Sequence, residues 1–397
     1  MKTAEASAIS CTAAGIESPR DGRIGVGVLI FTAGYGGADT IVLNWLQVLD
    51  RDRFRPYLFA FDTAGGHEGN RFFQCAAEAG FDVHALPWNR RKPLFRAART
   101  LADYIRRFHI EVLHCHNPYA NFVGALTKRY VPVTIINTFH AWDEPGIRVQ
   151  VLERLDVQVS RFFDQITTPS EAAKRGALDR GIPANRVKVL RVCSFSQAVR
   201  LSSVERDARR LALGAAPDDV VLVSVARFYR VKRYDIMLQA FRRVMEGAPK
   251  VRLWMLGDGP EEESMRRLAD ALGVADRVRF LGYRADVADV LALSDIQLLT
   301  SDVEGLPMAI IEGMMSGLPI VSTAVGSIPE VLTHRESGML VNTGSPGEVA
   351  EAALELVRNG TRRRALGAAA RRIFETHFSP AAGAASVGGL YEGLVRR

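Results

Sequence analysis

The sequence has few cysteines, no long apolar run and no cluster of metal-binding side chains, and each shortage removes a class of protein. Only Cys11, Cys75, Cys115 and Cys193 occur in 397 residues. No pair has metal-ligand spacing and their density is far below a disulfide framework, so they read as free thiols of a reducing compartment. No apolar stretch reaches the roughly 20 residues needed to cross a bilayer. Residues 1–22, rich in Ala, Ser and Thr, lack the continuous apolar core of a secretory signal and are expected to form a mobile leader. Neither a His/Cys/Asp cluster nor an Asp-x-Asp at a cleft-facing strand end offers a divalent-metal site. Aromatics interleaved with basic residues are also missing, which speaks against nucleic-acid binding.

What is present is ordinary globular material in quantity. Apolar residues make up 48% of the chain and charged residues 24%. The length suits two domains, each with its own core. A net charge of +7 suits anionic partners such as nucleotide phosphates or anionic lipid.

Short apolar, β-branched runs alternate with helical patterns along the chain. Ile24–Phe31, Pro56–Phe61, Asp82–Leu86, Glu111–His114, Val133–Phe139, Gln165–Thr168 and Val187–Val192 read as strands. Near-continuous apolar runs of this length are the mark of strands buried on both faces, hence of a parallel α/β sheet. A charged stretch with a Gly-Ala-Ala-Pro break follows, and a second series begins at Val220–Ala226. It continues through Lys250–Leu256, Arg277–Leu281, Ile296–Thr300 and Pro319–Thr323. The expected organisation is a first domain over 23–200, a linker over 201–217 and a second domain over 218–378. A C-terminal helix over 379–397 is expected to pack back toward the first domain. Ligands of open α/β sheets bind beyond the carboxyl ends of the strands, so chemistry is sought at strand-to-helix junctions.

One junction reads Ser301-Asp-Val-Glu304-Gly305-Leu306-Pro307-Met308-Ala309-Ile-Ile-Glu312. Glu304 falls in a loop and Pro307 suits the first helical position. The free N–H groups of Met308 and Ala309 would form an anion site at the helix N-terminus. A loop residue can fold back, so both carboxylates could line one pocket and accept hydrogen bonds from sugar or ribose hydroxyls. On spacing alone, Glu304 is equally a solvated loop residue and Glu312 a partner of the helix dipole. Glu304-x7-Glu312, followed by Ser316-Gly-Leu-Pro-Ile-Val-Ser-Thr-Ala-Val-Gly326, resembles the donor-site signature of family 4 glycosyltransferases, and the resemblance runs from Arg23 nearly to the C-terminus.

The resemblance implies a GT-B fold, two Rossmann-like domains facing across a cleft, and sugar transfer with retention of configuration. It implies that Glu312 holds the donor ribose and Glu304 the donor sugar, with Gly305, Leu306, Met308 and Ala309 around them. After the first strand of the second half comes Arg227-Phe-Tyr-Arg-Val-Lys232. By itself this is an exposed basic loop; by resemblance Arg227 and Lys232 bind the donor diphosphate, so no metal or other cofactor is expected. Gly257 and Tyr283 lie in further strand-end turns, and the resemblance puts the nucleobase near them. In the first half, Gly36-Gly37 opens a helix without the spacing of a dinucleotide fingerprint, and Asp39 stands where the family usually has Glu. Histidines end two strands, at His114 and His116 and at His140. The resemblance brings His140 near the reacting sugar, with Asp39, His116 and Trp142 on the acceptor side. Two departures stand out: an Asn-Gly loop usual in the family is absent after residues 187–194, and Ser327 occupies a position where a second Gly is common.

The basic, amphipathic stretch 89–108 reads as a core-packed helix with a solvated cationic face, or as a helix resting on anionic membrane. The expected activity is transfer of a hexose-type sugar from a nucleotide-diphosphate donor, UDP before GDP. The expected acceptor is a glycan or lipid-linked molecule, on the cytoplasmic side of a bacterial plasma membrane. A GT-B epimerase or phosphorylase, and a non-catalytic sugar-nucleotide sensor, are the competing readings.

Overall fold

The computed structural model describes residues 21–32, 36–61, 70–139 and 147–396. The first sheet holds β1 (Ile24–Ile30), β2 (Phe54–Phe61), β3 (Val83–Leu86), β4 (Ile110–His116), β5 (Thr134–Thr138), β6 (Gln165–Thr168) and β7 (Val187–Val189). Their order is β3-β2-β1-β4-β5-β6-β7 and every pairing is parallel. The second sheet holds β8 (Val220–Val225), β9 (Val251–Leu256), β10 (Val278–Gly282), β11 (Ile296–Leu299), β12 (Ile320–Thr323) and β13 (Met339–Val341). It runs β10-β9-β8-β11-β12-β13, again all parallel. The strands are buried because helices cover both faces, which is why they read as apolar runs.

Each sheet reverses its strand order once, between β1 and β4 and between β8 and β11. Such a switch point splays the flanking loops apart and leaves a crevice at the carboxyl ends of the strands. The two crevices face one another. The helix Gly37–Val48, which follows β1, lies beside the helix Met308–Met315, which follows β11.

Two segments depart from the sequence reading. The stretch expected as a linker contains a ten-residue helix, Ser203–Ala212, started by a capping box between Ser202 and Glu205. That helix belongs to the second domain, where Arg210 is fully buried while Val204 and Leu211 face solvent. β13 has no counterpart among the expected strands, since three residues after a turn carry too little periodicity to see.

The helix Pro380–Val395 packs on the helix Gly37–Val48 and on β1 and β4. Its Tyr391 is buried, with the hydroxyl hydrogen-bonded to His114 Nδ1 at 2.8 Å. Among the described residues no helix is long and apolar enough to cross a membrane.

Candidate functional site

The loops at the β8/β11 switch point carry the acidic and basic residues singled out above. Glu304 turns its carboxylate inward. Its Oε1 accepts hydrogen bonds from Lys232 Nζ at 2.7 Å and from Ser301 Oγ at 2.5 Å. The residue is buried, and both contacts fall on one oxygen, leaving Oε2 for another donor. Lys232 and Glu304 lie 72 positions apart; the β8–β11 pairing sets their loops side by side, and bonds from Thr300 Oγ1 to the Lys232 carbonyl and from Asp302 N–H to the Val231 carbonyl tie them together. Ser301 is fully buried, and sequence reading missed it. Its spacing, three residues before Glu304 at a strand end, was the available signal.

Gly326 supports this loop from behind. Its φ is +56°, and a Cβ built there would lie 1.8 Å from the Glu304 carbonyl oxygen. Only glycine meets both conditions. Ser327 N–H then donates to the Gly305 carbonyl at 3.1 Å. The loop is thus held through its side chain by Lys232 and Ser301, and through its backbone by the turn after β12.

The helix Met308–Met315 starts one residue later than expected: Pro307 is its extended N-cap. Ile310 N–H bonds back to the Pro307 carbonyl, whereas no bond joins the N–H groups of Met308 and Ala309 to the described residues. Leu306 and Met308 are buried beside them. Glu312 lies in the second helical turn, and burial of its carboxyl pushes its pKa up to about 7. It makes no side-chain hydrogen bond among the described residues, although part of the residue reaches solvent.

Arg227 is exposed at the end of β8, its guanidinium 4.6 Å from the Tyr229 ring centre. Gly257 allows the β9 turn to press against β8, since a Cβ there would meet the Ala226 carbonyl oxygen at 2.1 Å. Its N–H donates to the Gly282 carbonyl at 2.8 Å, fixing the turn that presents Tyr283. The Tyr283 ring is covered by Arg71 of the first domain, 3.0 Å from its centre, a contact the sequence did not suggest.

On the first-domain side, Gly36 and Gly37 open their helix as expected, and Asp39 folds back to accept from Gly36 N–H at 2.9 Å. Burial pushes the Asp39 pKa up to about 6, opposed by hydrogen bonds from Thr32 and the loop backbone and by the charge of Arg227 across the cleft. Asp39 therefore shapes its own loop. His116 lies deeper. It is fully buried, its ring 4.2 Å from that of His114 and 5.8 Å from Trp45, so it packs within the first domain. A strand-end side chain can point into either helix layer, and the sequence does not say which. His140 and Trp142 lie outside the described residues.

No group of three metal-ligating side chains occurs among the described residues. A cavity of about 700 Å³, lined in part by Arg23, Arg55, His109 and Glu111, sits at the opposite ends of β1 and β4, away from this constellation.

Comparisons with known proteins fit this geometry. Residues 35–191 match Glycosyltransferase Family 4, and residues 205–373 match Glycosyl transferases group 1. The chain is 28% identical over 295 residues to N-acetyl-alpha-D-glucosaminyl L-malate synthase of Bacillus anthracis, spanning 71% of this chain and 74% of that protein. It is 31% identical over 175 residues to the lipopolysaccharide core biosynthesis glycosyltransferase LpsE of Rhizobium meliloti, spanning 44% and 49%. The crystal structure of Anabaena HepE in complex with UDP-glucose superposes with a TM-score of 0.81 at 20% identity, over 94% of this chain and all of that one. Sequence matches on both halves and a shared two-domain architecture place the chain in glycosyltransferase family 4, on a GT-B fold.

Proposed function

We propose that this glycosyltransferase moves a hexose-type sugar, with retention, from a UDP-sugar to a glycan or lipid-linked acceptor of the bacterial cell surface, without a metal ion. The observation that carries the reading is the Lys232–Glu304–Ser301 arrangement beside the N-terminus of the helix bearing Glu312. Glu304 Oε2 and Glu312 would accept from sugar and ribose hydroxyls. The N–H groups of Met308 and Ala309, with Arg227 and Lys232, would stabilise the diphosphate as it leaves. The UDP-glucose complex of HepE and the lipopolysaccharide role of LpsE support the donor and acceptor classes. His140 keeps the role the resemblance implies, beside the reacting sugar.

The pKa of Glu312 makes the reading testable. Hydrogen bonds from ribose hydroxyls favour its ionised form, so donor binding is complete above about pH 7 and weakens as the free carboxyl protonates below it. UDP-glucose affinity, measured by calorimetry, should fall about tenfold per pH unit below that point. Glu312→Gln should flatten the profile and EDTA should change nothing. A flat wild-type profile, or binding lost in EDTA, would remove this reading. Conversion of the UDP-sugar into another UDP-sugar without acceptor would mark an epimerase instead.

The acceptor side also fits an anionic membrane surface. Residues 1–200 hold 26 Lys and Arg against 19 Asp and Glu, whereas residues 201–397 hold 25 of each, so the first half carries the whole net charge. The helix Leu94–Phe108 buries Ala97, Ala98, Leu101, Ala102 and Ile105 in the core, so its apolar stripe is packing. Its Arg96, Arg99 and Arg106 face outward, and Phe95, Val151, Leu155 and Phe162 are exposed apolar side chains of the same domain. Sedimentation with vesicles containing phosphatidylglycerol should fall steeply between low and 0.5 M salt, and Phe162→Ser should reduce it. Equal binding to neutral vesicles would discard the electrostatic version.

A further inference from the structure

The departure at Ser327 joins the two domains. Ser327 Oγ donates to Ser170 Oγ of the first domain at 2.6 Å, and both residues are buried. Ser170 in turn caps the helix Glu171–Asp179, its Oγ accepting from Ala173 N–H at 3.1 Å. Three residues after Ser327, Glu330 reaches the same helix. One carboxylate oxygen accepts from Glu171 N–H at 2.9 Å and the other from Arg175 at 3.0 Å. The helix start of the first domain is thus satisfied by a carboxylate of the second, where the helix dipole favours it.

The same short segment holds the donor loop. Gly326 packs against the Glu304 carbonyl, and Ser327 N–H donates to Gly305. Ser327 therefore bonds the second domain's own Glu304 loop through its backbone and the first domain through its side chain. A glycine there would keep only the backbone bond.

We propose that Ser327 and Glu330 are positioning residues: they clasp the first domain at Ser170 and Glu171 and so fix Glu304 relative to whatever the first domain presents. They touch neither donor nor acceptor. Their effect is on geometry between the domains, so it falls on the rate of transfer and spares binding of the donor. This rests on the reading of Glu304 as a donor-sugar residue.

The test uses Glu330→Gln and Ser327→Ala in the full chain. Hydrogen exchange needs no donor: the Glu171 amide should exchange faster in Glu330→Gln, and the Gly305–Ser327 region should loosen with it. With UDP-glucose as the probe, kcat should drop about tenfold while the donor Kd stays within about threefold, because a small misplacement of aligned groups costs rate before affinity. Ser327→Thr, which keeps the hydroxyl, should recover most of the loss seen in Ser327→Ala. Unchanged kcat in both variants overturns the clasp. So does a loss of kcat matched by a fall in thermal midpoint, which would mean general destabilisation. If the wild-type protein fails to bind UDP-glucose, the donor reading is what fails. The exchange arm then decides alone, and a Glu171 amide unmoved by Glu330→Gln overturns the clasp.

Discussion

Arg210→Ala is expected to cost about 3–5 kcal/mol, a large share of the 5–15 kcal/mol that hold an ordinary domain together. Arg210 is fully buried. Its guanidinium donates to Asp295 Oδ2 at 3.1 Å, to the Leu293 carbonyl at 3.2 Å and to the Asp219 carbonyl. Asp295 also accepts from Arg206 at 2.9 Å and from Val221 N–H at 2.8 Å. One side chain thus ties the helix Ser203–Ala212 to the start of β8 and the turn before β11. Alanine leaves two carbonyls and a carboxylate oxygen short of a partner, and opens a void where a long side chain lay. Lysine should not rescue it, because a single ammonium cannot reproduce the planar fork. Urea unfolding followed by far-ultraviolet circular dichroism reads the loss. A loss below about 1 kcal/mol, the size of one ordinary hydrogen bond, would show that the network carries little.

Glu304→Gln is expected to lower kcat/KM by about 10²–10³-fold, the usual scale for losing one preorganised electrostatic contact in an active site. The amide keeps the size of the side chain but drops the charge that Lys232 faces, and it offers one accepting oxygen in place of two. If its NH₂ turns toward the donor sugar, it presents hydrogen where an acceptor is wanted. If it turns inward, it faces the donors of Lys232 and Ser301. Either way the arrangement loses a hydrogen bond. Rates of UDP release with acceptor present check this, and activity within threefold of the parent would remove Glu304 from the reacting centre. The thermal midpoint should hardly move, since Lys232 can turn to solvent.

The fold was legible because parallel strands buried on both faces have little choice of residue. β1, β4 and β8 announce themselves as apolar runs, and their alternation with helices dictates a doubly wound sheet. The helix Ser203–Ala212 was not legible. It turns Val204 and Leu211 outward and Arg210 inward, against the hydropathy rule, because the inward arginine has a half-buried carboxylate partner some 85 residues later in the chain. The placement of Glu304 in a loop and of Glu312 on the helix that follows was legible from the strand, loop and helix pattern. The cation on Glu304, the serine beneath it and the hydroxyl pair across the domains were not. Each is a long-range pairing, set by which strand lies beside which, and local spacing holds no record of that. The burial of His116 was not legible for a related reason: a strand end fixes position along the sheet but not which layer the side chain enters.

The Tyr391–His114 contact also says something about when the first domain becomes whole. Its sheet is complete at β7, yet the helix that covers β1 and β4 comes from residues 380–395, which leave the ribosome only after the entire second domain. Until then the surface destined for Tyr391 and Val387 stays open, next to Trp45 and Phe54. The domain made first is therefore the one finished last, and during synthesis the second half has to fold beside an incomplete partner.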